Sequence, residues 1–448
     1  MKETPYTNYI RDDVLYNLYK DSARADGLPI MNNETFERLN KIYGKEKMRL
    51  TLADYIASEK PRYPLKHLPK ERMIQCFNRL KKYDTRTLCT PSEKVEKTVL
   101  EKYDDYKYPY SEYGLGLICA GHSLNDVSSY FHQDLRLACG SYSFRAPKEV
   151  WENGTAYDIW KYFGPIWRGI NDVKKVVVDD KEELIGGSLA EDSYISSFRL
   201  GGYVATQFKP VVAKAIYNMT NARTVLDTSC GWGDKLAGLF ASNAEEYYGC
   251  DPNPNTYERY QQQISTYNKL LPKPKKVKIW NCGAEDMPYN ELPKIDCAFT
   301  SPPYFSTERY NEGGDKEELQ SWSRYSDYET WRDEFYLPVA QKSFDCLNDN
   351  GVLMVNILDP KINGKRYRSG DELVDMLLPN FMGQVGMRIM QRPQGATIFQ
   401  DDDGIFDKEA MVEFMNQIYI ENVWCFSKNK KQDIFKHTRK NSLDDIFG

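Results

Sequence analysis

The sequence predicts an α/β protein with a doubly wound, mostly parallel sheet and an antiparallel last strand, preceded by a mixed or mainly helical N-terminal domain. From about residue 220, short apolar runs rich in β-branched and aromatic residues alternate with longer amphipathic stretches. This alternation is typical of strand–helix–strand units that build a parallel sheet. Glycines follow the first run directly, as expected where a parallel strand turns into a helix beside a ligand.

The predicted elements follow from local patterning. Strands are predicted at 224–228, 246–250, 277–281, 296–300, 352–357, 384–390 and 418–426. Helices are predicted between them at 235–241, 254–267 and 328–347, and nearer the N-terminus at 34–44 and 68–83. The last two strands are close in sequence, so we expect them to pair antiparallel. The stretch 113–145 mixes apolar runs with turn residues and favours neither type.

The domain organisation is predicted from the change in pattern near residues 175–188. Residues 1–175 form an N-terminal accessory domain, residues 176–427 form the α/β domain, and residues 428–448 form a basic C-terminal tail. Because charged termini are usually just solvated, the tail is interpreted as a solvated end, with a phosphate-contacting arm as the alternative.

The amino-acid composition limits the classes of protein to which this chain can belong. The net charge of −5 gives no global case for nucleic-acid binding, although such binding depends on local patches. The ten cysteines are scattered without a C-x-x-C pair, which argues against structural zinc and a disulfide framework and favours a reducing, cytoplasmic compartment. No segment approaches the roughly 18 apolar residues of a membrane span, and the N-terminus lacks the apolar core of a secretory signal.

Residues that suit a nucleoside cofactor follow the first three predicted strands of the α/β domain. The first strand ends at Asp227 and leads into Gly231 and Gly233, which allow a tight turn and close approach of the backbone to a ligand. The second ends at Asp251, whose carboxylate can accept both hydroxyls of a ribose. The third is followed by an acidic pair that can accept from an adenine amino group, Glu285 and Asp286.

The fourth strand leads into the segment 300–305, Thr-Ser-Pro-Pro-Tyr-Phe. Each proline fixes φ and removes a backbone donor, and each restricts the residue before it to extended conformations. The segment therefore predicts a rigid loop that presents a hydroxyl and carbonyl oxygens beside an aromatic ring. Such a loop could accept the N–H groups of a nucleobase amine at Ser301, with Tyr304 or Phe305 stacked on the base.

Together these motifs resemble the S-adenosylmethionine-dependent amino-methyltransferases of DNA bases, over residues 189–426. The family includes cytosine N4 and adenine N6 enzymes, and its catalytic motif is Ser/Asn/Asp-Pro-Pro followed by an aromatic residue. The Ser form resembles the N4-cytosine variant. The cofactor half comes first here, however, as in a different subgroup, so the resemblance does not choose between cytosine and adenine. It implies a Rossmann-like methyltransferase sheet, a flipped target base and a role in DNA methylation or restriction-modification.

The resemblance also implies roles for particular residues. The catalytic motif would hold the target base through Ser301, Pro302, Pro303 and Tyr304. The cofactor would be bordered by Thr206, Asp227, Cys230, Gly231, Gly233, Asp251, Pro252, Glu285 and Asp286. Contacts with the nucleic acid are expected from Phe305, Arg309, Lys365, Arg366 and Arg368. S-adenosyl-L-methionine is the expected cofactor, and no metal is required.

The alternatives are a methyltransferase of RNA bases, a non-catalytic nucleic-acid-binding subunit that keeps the fold, and transfer of another group from a different cofactor. The intact Ser-Pro-Pro-Tyr loop argues against the interpretation as a non-catalytic subunit. DNA is the expected partner, with RNA as the alternative, and the N-terminal domain is expected to recognise or clamp the DNA. The sequence does not predict an oligomeric state.

Overall fold

The structure is a computed structural model that describes residues 4–102, 105–119, 124–141, 145–167, 174–178, 181–185, 188–201, 204–307, 309–312, 314, 316–389 and 419–438. The chain forms two compact units. The first unit contains residues 1–68, 133–206 and 310–317, and the second contains residues 69–132, 207–309 and 318–448.

The strands, numbered in chain order, are β1 (Cys89–Pro91), β2 (Gly114–Cys119), β3 (Lys174–Val178), β4 (Lys181–Ile185), β5 (Thr224–Asp227), β6 (Glu246–Cys250), β7 (Lys276–Trp280), β8 (Ile295–Thr300), β9 (Leu347–Asn356), β10 (Lys361–Ile362), β11 (Lys365–Arg366), β12 (Phe381–Ile389) and β13 (Tyr419–Ser427). The α-helices are α1 (Asp13–Asp21), α2 (Asn33–Tyr43), α3 (Lys45–Glu59), α4 (Lys70–Lys82), α5 (Lys97–Glu101), α6 (Tyr110–Tyr113), α7 (Asp126–Leu137), α8 (Pro147–Asn153), α9 (Ala156–Tyr162), α10 (Glu191–Gly201), α11 (Pro210–Met219), α12 (Asp234–Ala241), α13 (Pro254–Lys269), α14 (Ser321–Arg324), α15 (Tyr328–Trp331), α16 (Leu337–Asp345) and α17 (Ser369–Leu377).

The first unit is mainly helical and is built around buried aromatic side chains. The side-chain oxygen of Asn32 accepts the N–H of Thr35 at 2.9 Å, which caps the start of α2 near its predicted position. In the core, the indole of Trp151 donates to the carbonyl of Pro61 at 2.7 Å, and the hydroxyl of Tyr194 donates to the carbonyl of Pro29 at 2.9 Å. The buried rings therefore also satisfy their polar atoms.

Within the described residues, the second unit contains a nine-stranded sheet with the strand order β1-β2-β12-β13-β9-β8-β5-β6-β7. The strands from β9 to β7 are mutually parallel, and β2 is parallel to β12. Strand β13 is inserted antiparallel between β12 and β9, and β1 lies antiparallel on the far edge. The predicted α/β class is thus confirmed, with a mostly parallel sheet and an antiparallel last strand.

The seven predicted strands correspond to β5–β9, β12 and β13, with ends shifted by a few residues. Of the predicted ends, Met390 and Ile418 lie outside the described residues. The helix predicted at 328–347 is instead three consecutive segments, α15, a π-helix at Arg332–Tyr336 and α16. Pro338 lacks the N–H that would bond to the carbonyl of Glu334, so the regular α-helical ladder cannot continue unbroken there.

The division into units differs from the predicted boundary near residue 175, because residues 69–132 belong with the sheet. Strand β2 pairs with the distant β12, with Leu117 opposite Gly386. The buried ammonium of Lys214 donates to the carbonyls of Leu80, Lys81 and Tyr83 at 2.9, 2.7 and 2.8 Å. These bonds hold the end of α4 against α11, and burial lowers the pKa of Lys214 to about 8.

None of the helices in the described ranges is long and apolar enough to cross a lipid bilayer.

Candidate active site

The loop after β5 contains two glycines in the left-handed region, Gly231 with φ 58° and Gly233 with φ 71°. A Cβ on Gly233 would lie 2.2 Å from Oε1 of Gln263 and 2.8 Å from Nε2 of His132, so packing excludes a side chain there. A Cβ on Gly231 would meet only the carbonyl oxygen of Ser229, at 3.8 Å. The space beside Gly231 is therefore open, as a ligand that approaches the backbone closely requires.

This contrast leads to a prediction for two alanine variants. Gly231→Ala should lower stability by about 1–2 kcal/mol, the cost of a left-handed non-glycine residue. Gly233→Ala should lower it further, because the Gln263 amide must also move away from the new Cβ. Thermal unfolding of both variants without ligand measures the difference, and equal losses would contradict the distinction. If a ligand occupies the space beside Gly231, Gly231→Ala should also weaken its binding.

Asp227, at the end of β5, is fully buried and its carboxylate is engaged within the protein. Oδ1 accepts from Nζ of Lys235 at 2.7 Å and from the N–H of Ser229 at 3.1 Å, and Oδ2 accepts from the hydroxyl of Tyr247 at 2.5 Å. Lys235 also donates to the carbonyl of Ser229 at 2.7 Å. Asp227 therefore shapes the loop from inside, with Lys235 and Tyr247 as partners that the sequence analysis did not identify.

Cys230 is buried, with its Sγ 3.6 Å from the hydroxyl of Tyr247. Burial raises the pKa of this thiol well above its ordinary value. A Cβ on the neighbouring Gly249 would lie 2.6 Å from this sulfur, so Cys230 fills the space between the glycine loop and β6. Its side chain packs inside the protein and is a supporting residue of the loop.

Asp251 follows β6 and joins that strand end to the glycine loop. Its Oδ2 accepts from the N–H of Gly231 at 2.9 Å, and its Oδ1 accepts from the N–H of Asn253 at 3.0 Å and the hydroxyl of Thr256 at 3.1 Å. Burial raises the pKa of the Asp251 carboxyl, and these donors oppose the shift. Since a carboxylate offers about four acceptor positions, acceptor capacity remains for a ligand hydroxyl. The adjacent Pro252 is half-buried.

The acidic pair after β7 lies in a short turn, Ala284–Asp286, and its two members differ in environment. Glu285 accepts from Nη1 of Arg324 at 2.6 Å and from the hydroxyl of Tyr325 at 3.2 Å. The Asp286 side chain is 64% exposed, with its nearest contact to Arg324 at 3.9 Å. Asp286 is therefore better placed to accept from a ligand, whereas Glu285 is held by its ion pair.

The loop after β8 begins beside the glycine loop, because β5 and β8 are neighbouring strands. The hydroxyl of Thr228 donates to that of Thr300 at 3.0 Å and ties the two strand ends together. Beyond this point, Ser301 Oγ lies 2.8 Å from the hydroxyl of Tyr304. Asn356, at the end of β9, lies within hydrogen-bond distance of both, with its Oδ1 at 3.1 Å from Tyr304 and 3.4 Å from Ser301. Asn356 was not predicted from sequence.

Phe305 occupies a different place from the one predicted. It is 5% exposed and packs edge-on against Tyr328, with its ring centroid 6.2 Å from that of Tyr328 and 5.9 Å from that of Trp331. Its ring is therefore part of the core and cannot stack on a base in this conformation. Tyr304 is also largely buried, with its hydroxyl turned toward Ser301. Pro302 is buried as well, and Pro303 is half-buried.

The predicted basic contacts fall into two groups. Lys365 and Arg366 are exposed on β11, which pairs with β10 across an Asn-Gly turn. Arg368 is instead committed to carboxylates, at 3.1 Å from Asp359 and 2.5 Å from Asp105. Burial raises the pKa of Asp359 to about 6, and Arg368 opposes this shift. The exposed hairpin is the better candidate for a phosphate contact.

Arg309 and Thr206 are the remaining residues for which a contact with nucleic acid or cofactor was predicted. The guanidinium carbon of Arg309 lies 5.7 Å from the ring centroid of Trp322, in the cation–π range. Thr206 is exposed and belongs to the first unit. In the described part of the chain, no group of three or more His, Cys, Asp and Glu side chains is arranged to hold a metal ion.

The Ser301 loop and Asn356 fall within a recognised sequence signature. Residues 295–445 match the family model described as DNA methylase. The match covers about a third of the chain, beginning at β8 and leaving out the glycine loop. It supports methyltransferase activity and a nucleic-acid substrate, and it does not decide between cytosine N4 and adenine N6. None of the curated proteins matches the chain in sequence.

Solved structures with a similar fold include an rRNA methylase from Streptococcus thermophilus, with 13% identity over 50% of this chain and 99% of that chain and a TM-score of 0.28. TrmN from Thermus thermophilus has 16% identity over 55% of this chain and 57% of that chain, with a TM-score of 0.29. The SAH-bound methyltransferase PaMTH1 from Podospora anserina has 12% identity over 34% and 53% of the two chains, with a TM-score of 0.21. At these identities and TM-scores the similarity does not identify a substrate.

Proposed function

We propose that the protein transfers a methyl group from S-adenosylmethionine to an exocyclic amine of a DNA base, either cytosine N4 or adenine N6. The observation that carries this proposal is the Ser301 hydroxyl at the end of β8, within the segment that matches the DNA methylase model. The Thr228–Thr300 bond brings the start of this loop beside the glycine loop. A base amine at Ser301 and a cofactor at Gly231 would therefore share one edge of the sheet.

The residues along this edge fit the proposed cofactor. The open space beside Gly231 allows a ligand to contact the backbone, and Asp251 retains acceptor capacity for a ribose hydroxyl. Asp286 exposes a carboxylate that suits the adenine amino group. The cofactor supplies an electrophilic methyl group on a sulfonium, so the protein must chiefly position the acceptor nitrogen. Asp227 and Cys230 support the loop from inside and would not contact the cofactor with their side chains.

The chemical difficulty lies in the target amine, whose lone pair is delocalised into the ring. Accepting its two N–H groups at the Ser301 hydroxyl and the Pro302 carbonyl would favour a pyramidal nitrogen with a directed lone pair. Positioning and electrostatics would then supply most of the rate enhancement. The base must leave the stack to reach this site, which costs a few kcal/mol in duplex DNA. Exposed Lys365 and Arg366 would hold the phosphates of the substrate.

Nucleoside mass spectrometry tests this function. Unmethylated DNA and, in parallel, total RNA are incubated with purified protein and S-adenosylmethionine and then digested to nucleosides. N4-methylcytosine or N6-methyladenine from the DNA would support the proposal and identify the acceptor. Methylation of the RNA alone would replace DNA by RNA as the substrate. Bound cofactor without any methylated base would contradict transfer to nucleic acid.

Asp251 provides an independent test of the cofactor assignment. Asp251→Asn removes the charge that attracts hydroxyl donors and also replaces one oxygen that accepts a backbone N–H by an NH2 group, so we expect cofactor affinity to fall at least about 10-fold. Isothermal titration with S-adenosylmethionine measures the change. The matched control is Glu291→Gln. Glu291 lies beyond β7 and forms an exposed ion pair with Lys278 of that strand, so this variant should leave cofactor affinity unchanged. Equal affinity of Asp251→Asn and the control would contradict the ribose contact.

A further inference from the structure

The buried amide of Asn356 has a fixed orientation at the end of β9. Its Nδ2 faces two atoms that only accept, Oε2 of Glu421 and the carbonyl oxygen of Asn422, each at 3.4 Å. An amide oxygen turned toward these atoms would place acceptor against acceptor. Asn356 is 1% exposed, so water does not readily compensate for the reverse orientation. Oδ1 therefore faces the Ser-Pro-Pro-Tyr loop.

The fixed Oδ1 restricts the hydroxyl donors in this loop, since it can accept from Tyr304 or from Ser301 but cannot donate to either. Since Oδ1 can only accept, the shorter contact, at 3.1 Å, has Tyr304 donating to Asn356. The Tyr304 oxygen can then accept from Ser301 at 2.8 Å. In this arrangement the proton of Ser301 points toward Tyr304, and the lone pairs of Ser301 Oγ stay available for another donor.

We propose that Asn356 is a positioning residue that keeps Ser301 an acceptor for the N–H of the target amine, an assignment that rests on the proposed function. Without the amide, Tyr304 would donate to Ser301 instead. One lone pair of Ser301 would then be occupied and its proton would be free to point at the amine. Asn356 thus acts through two hydroxyls, and Glu421 and Asn422 of β13 act through Asn356.

A double-mutant cycle on methyl transfer tests this order of donors. Single-turnover rates are measured for wild type, Asn356→Ala, Tyr304→Phe and the double variant, with saturating S-adenosylmethionine and the nucleic acid that wild type methylates. Asn356→Ala should slow transfer by at least about 10-fold, the effect of one hydrogen bond of ordinary strength. Tyr304→Phe should slow it less, because Ser301 can still donate to Asn356, 3.4 Å away.

The double variant provides the decisive comparison. Removing the Tyr304 hydroxyl from Asn356→Ala eliminates the donor that would occupy Ser301, so the double variant should be faster than Asn356→Ala alone. A purely structural role predicts the opposite, since two losses in one loop should accumulate. Cofactor affinity, measured by titration, should stay at the wild-type value in all variants. Val355→Ala, which truncates the adjacent buried residue of β9, controls for loosened packing and should not reproduce the rate loss.

Two outcomes would overturn the assignment in distinguishable ways. If wild type is active and Asn356→Ala transfers methyl groups at the wild-type rate, the role of Asn356 is refuted and the proposed function stays intact. The same holds if the double variant transfers methyl groups more slowly than Asn356→Ala. Wild type that binds cofactor but methylates neither DNA nor RNA would refute the proposed function and this assignment together.

Discussion

Replacing Ser301 with alanine is expected to slow methyl transfer by about 100- to 1,000-fold, the usual effect of removing one preorganised polar group from an active site. The hydroxyl is held at the end of β8 by Tyr304 and Asn356, so it costs no reorganisation when the amine binds. Alanine leaves the loop backbone and both prolines in place. Single-turnover methylation with nucleoside mass spectrometry measures the loss, and titration should show unchanged cofactor affinity.

Ser306→Ala is the matched control for this variant, because it makes the same chemical change in the short turn Phe305–Thr307 that follows the loop. It should transfer methyl groups at close to the wild-type rate. A Ser301→Ala variant as active as Ser306→Ala would mean that the hydroxyl does not contact the amine. If both variants lost activity and thermal stability together, the cause would be folding of the loop.

The strands of the sheet could be predicted from sequence because each is a local apolar run with its own end signals. The continuation of the sheet into β2 could not be predicted, because that strand pairs with β12 across more than half of the chain. Local patterning carries no information about such a partner. The same limit explains the predicted boundary near residue 175, since the charged helix α4 belongs to the sheet unit only through contacts such as those of Lys214.

For the site, the C-terminal ends of β5 to β8 could be predicted from sequence to within one residue, but not which way the side chains there face. Asp227 and Asp251 have similar positions after neighbouring strands, yet Lys235 and Tyr247 enclose the first, whereas the second borders the open glycine loop. Phe305 directly follows the Ser-Pro-Pro-Tyr segment, yet its ring packs into the core, and its backbone has a φ of 48°. These differences depend on partners from other elements, which no local pattern specifies.

Asn356 shows the same limit for a polar residue. In sequence it is one asparagine at the end of an apolar strand, 55 residues beyond Ser301. Only the parallel pairing of β8 with β9 and the insertion of β13 bring its amide between Tyr304 and the Glu421–Asn422 pair.

The largest expected effect on stability comes from the ion pair between Lys235 and Asp227. The two side chains are 4% and 0% exposed, with Nζ and Oδ1 2.7 Å apart. Lys235→Met removes the positive charge and leaves the carboxylate buried without it, which should lower the free energy of unfolding by about 3–5 kcal/mol. Chemical denaturation, followed by a probe in the second unit, measures this loss.

Two further variants distinguish the cost of a buried, uncompensated carboxylate from the cost of losing a lysine side chain. Lys276→Met breaks the exposed ion pair between Lys276 and Glu246, in which the lysine side chain is 65% exposed. This variant should lower the free energy of unfolding by no more than about 1 kcal/mol. Asp227→Asn combined with Lys235→Met removes both buried charges, so the double variant should be more stable than Lys235→Met alone. If it were less stable, the cost would come from lost packing and hydrogen bonds around Ser229 and Tyr247. Since Asp227 and Lys235 both bond to Ser229, the same pair that stabilises the core also fixes the loop that approaches the proposed cofactor.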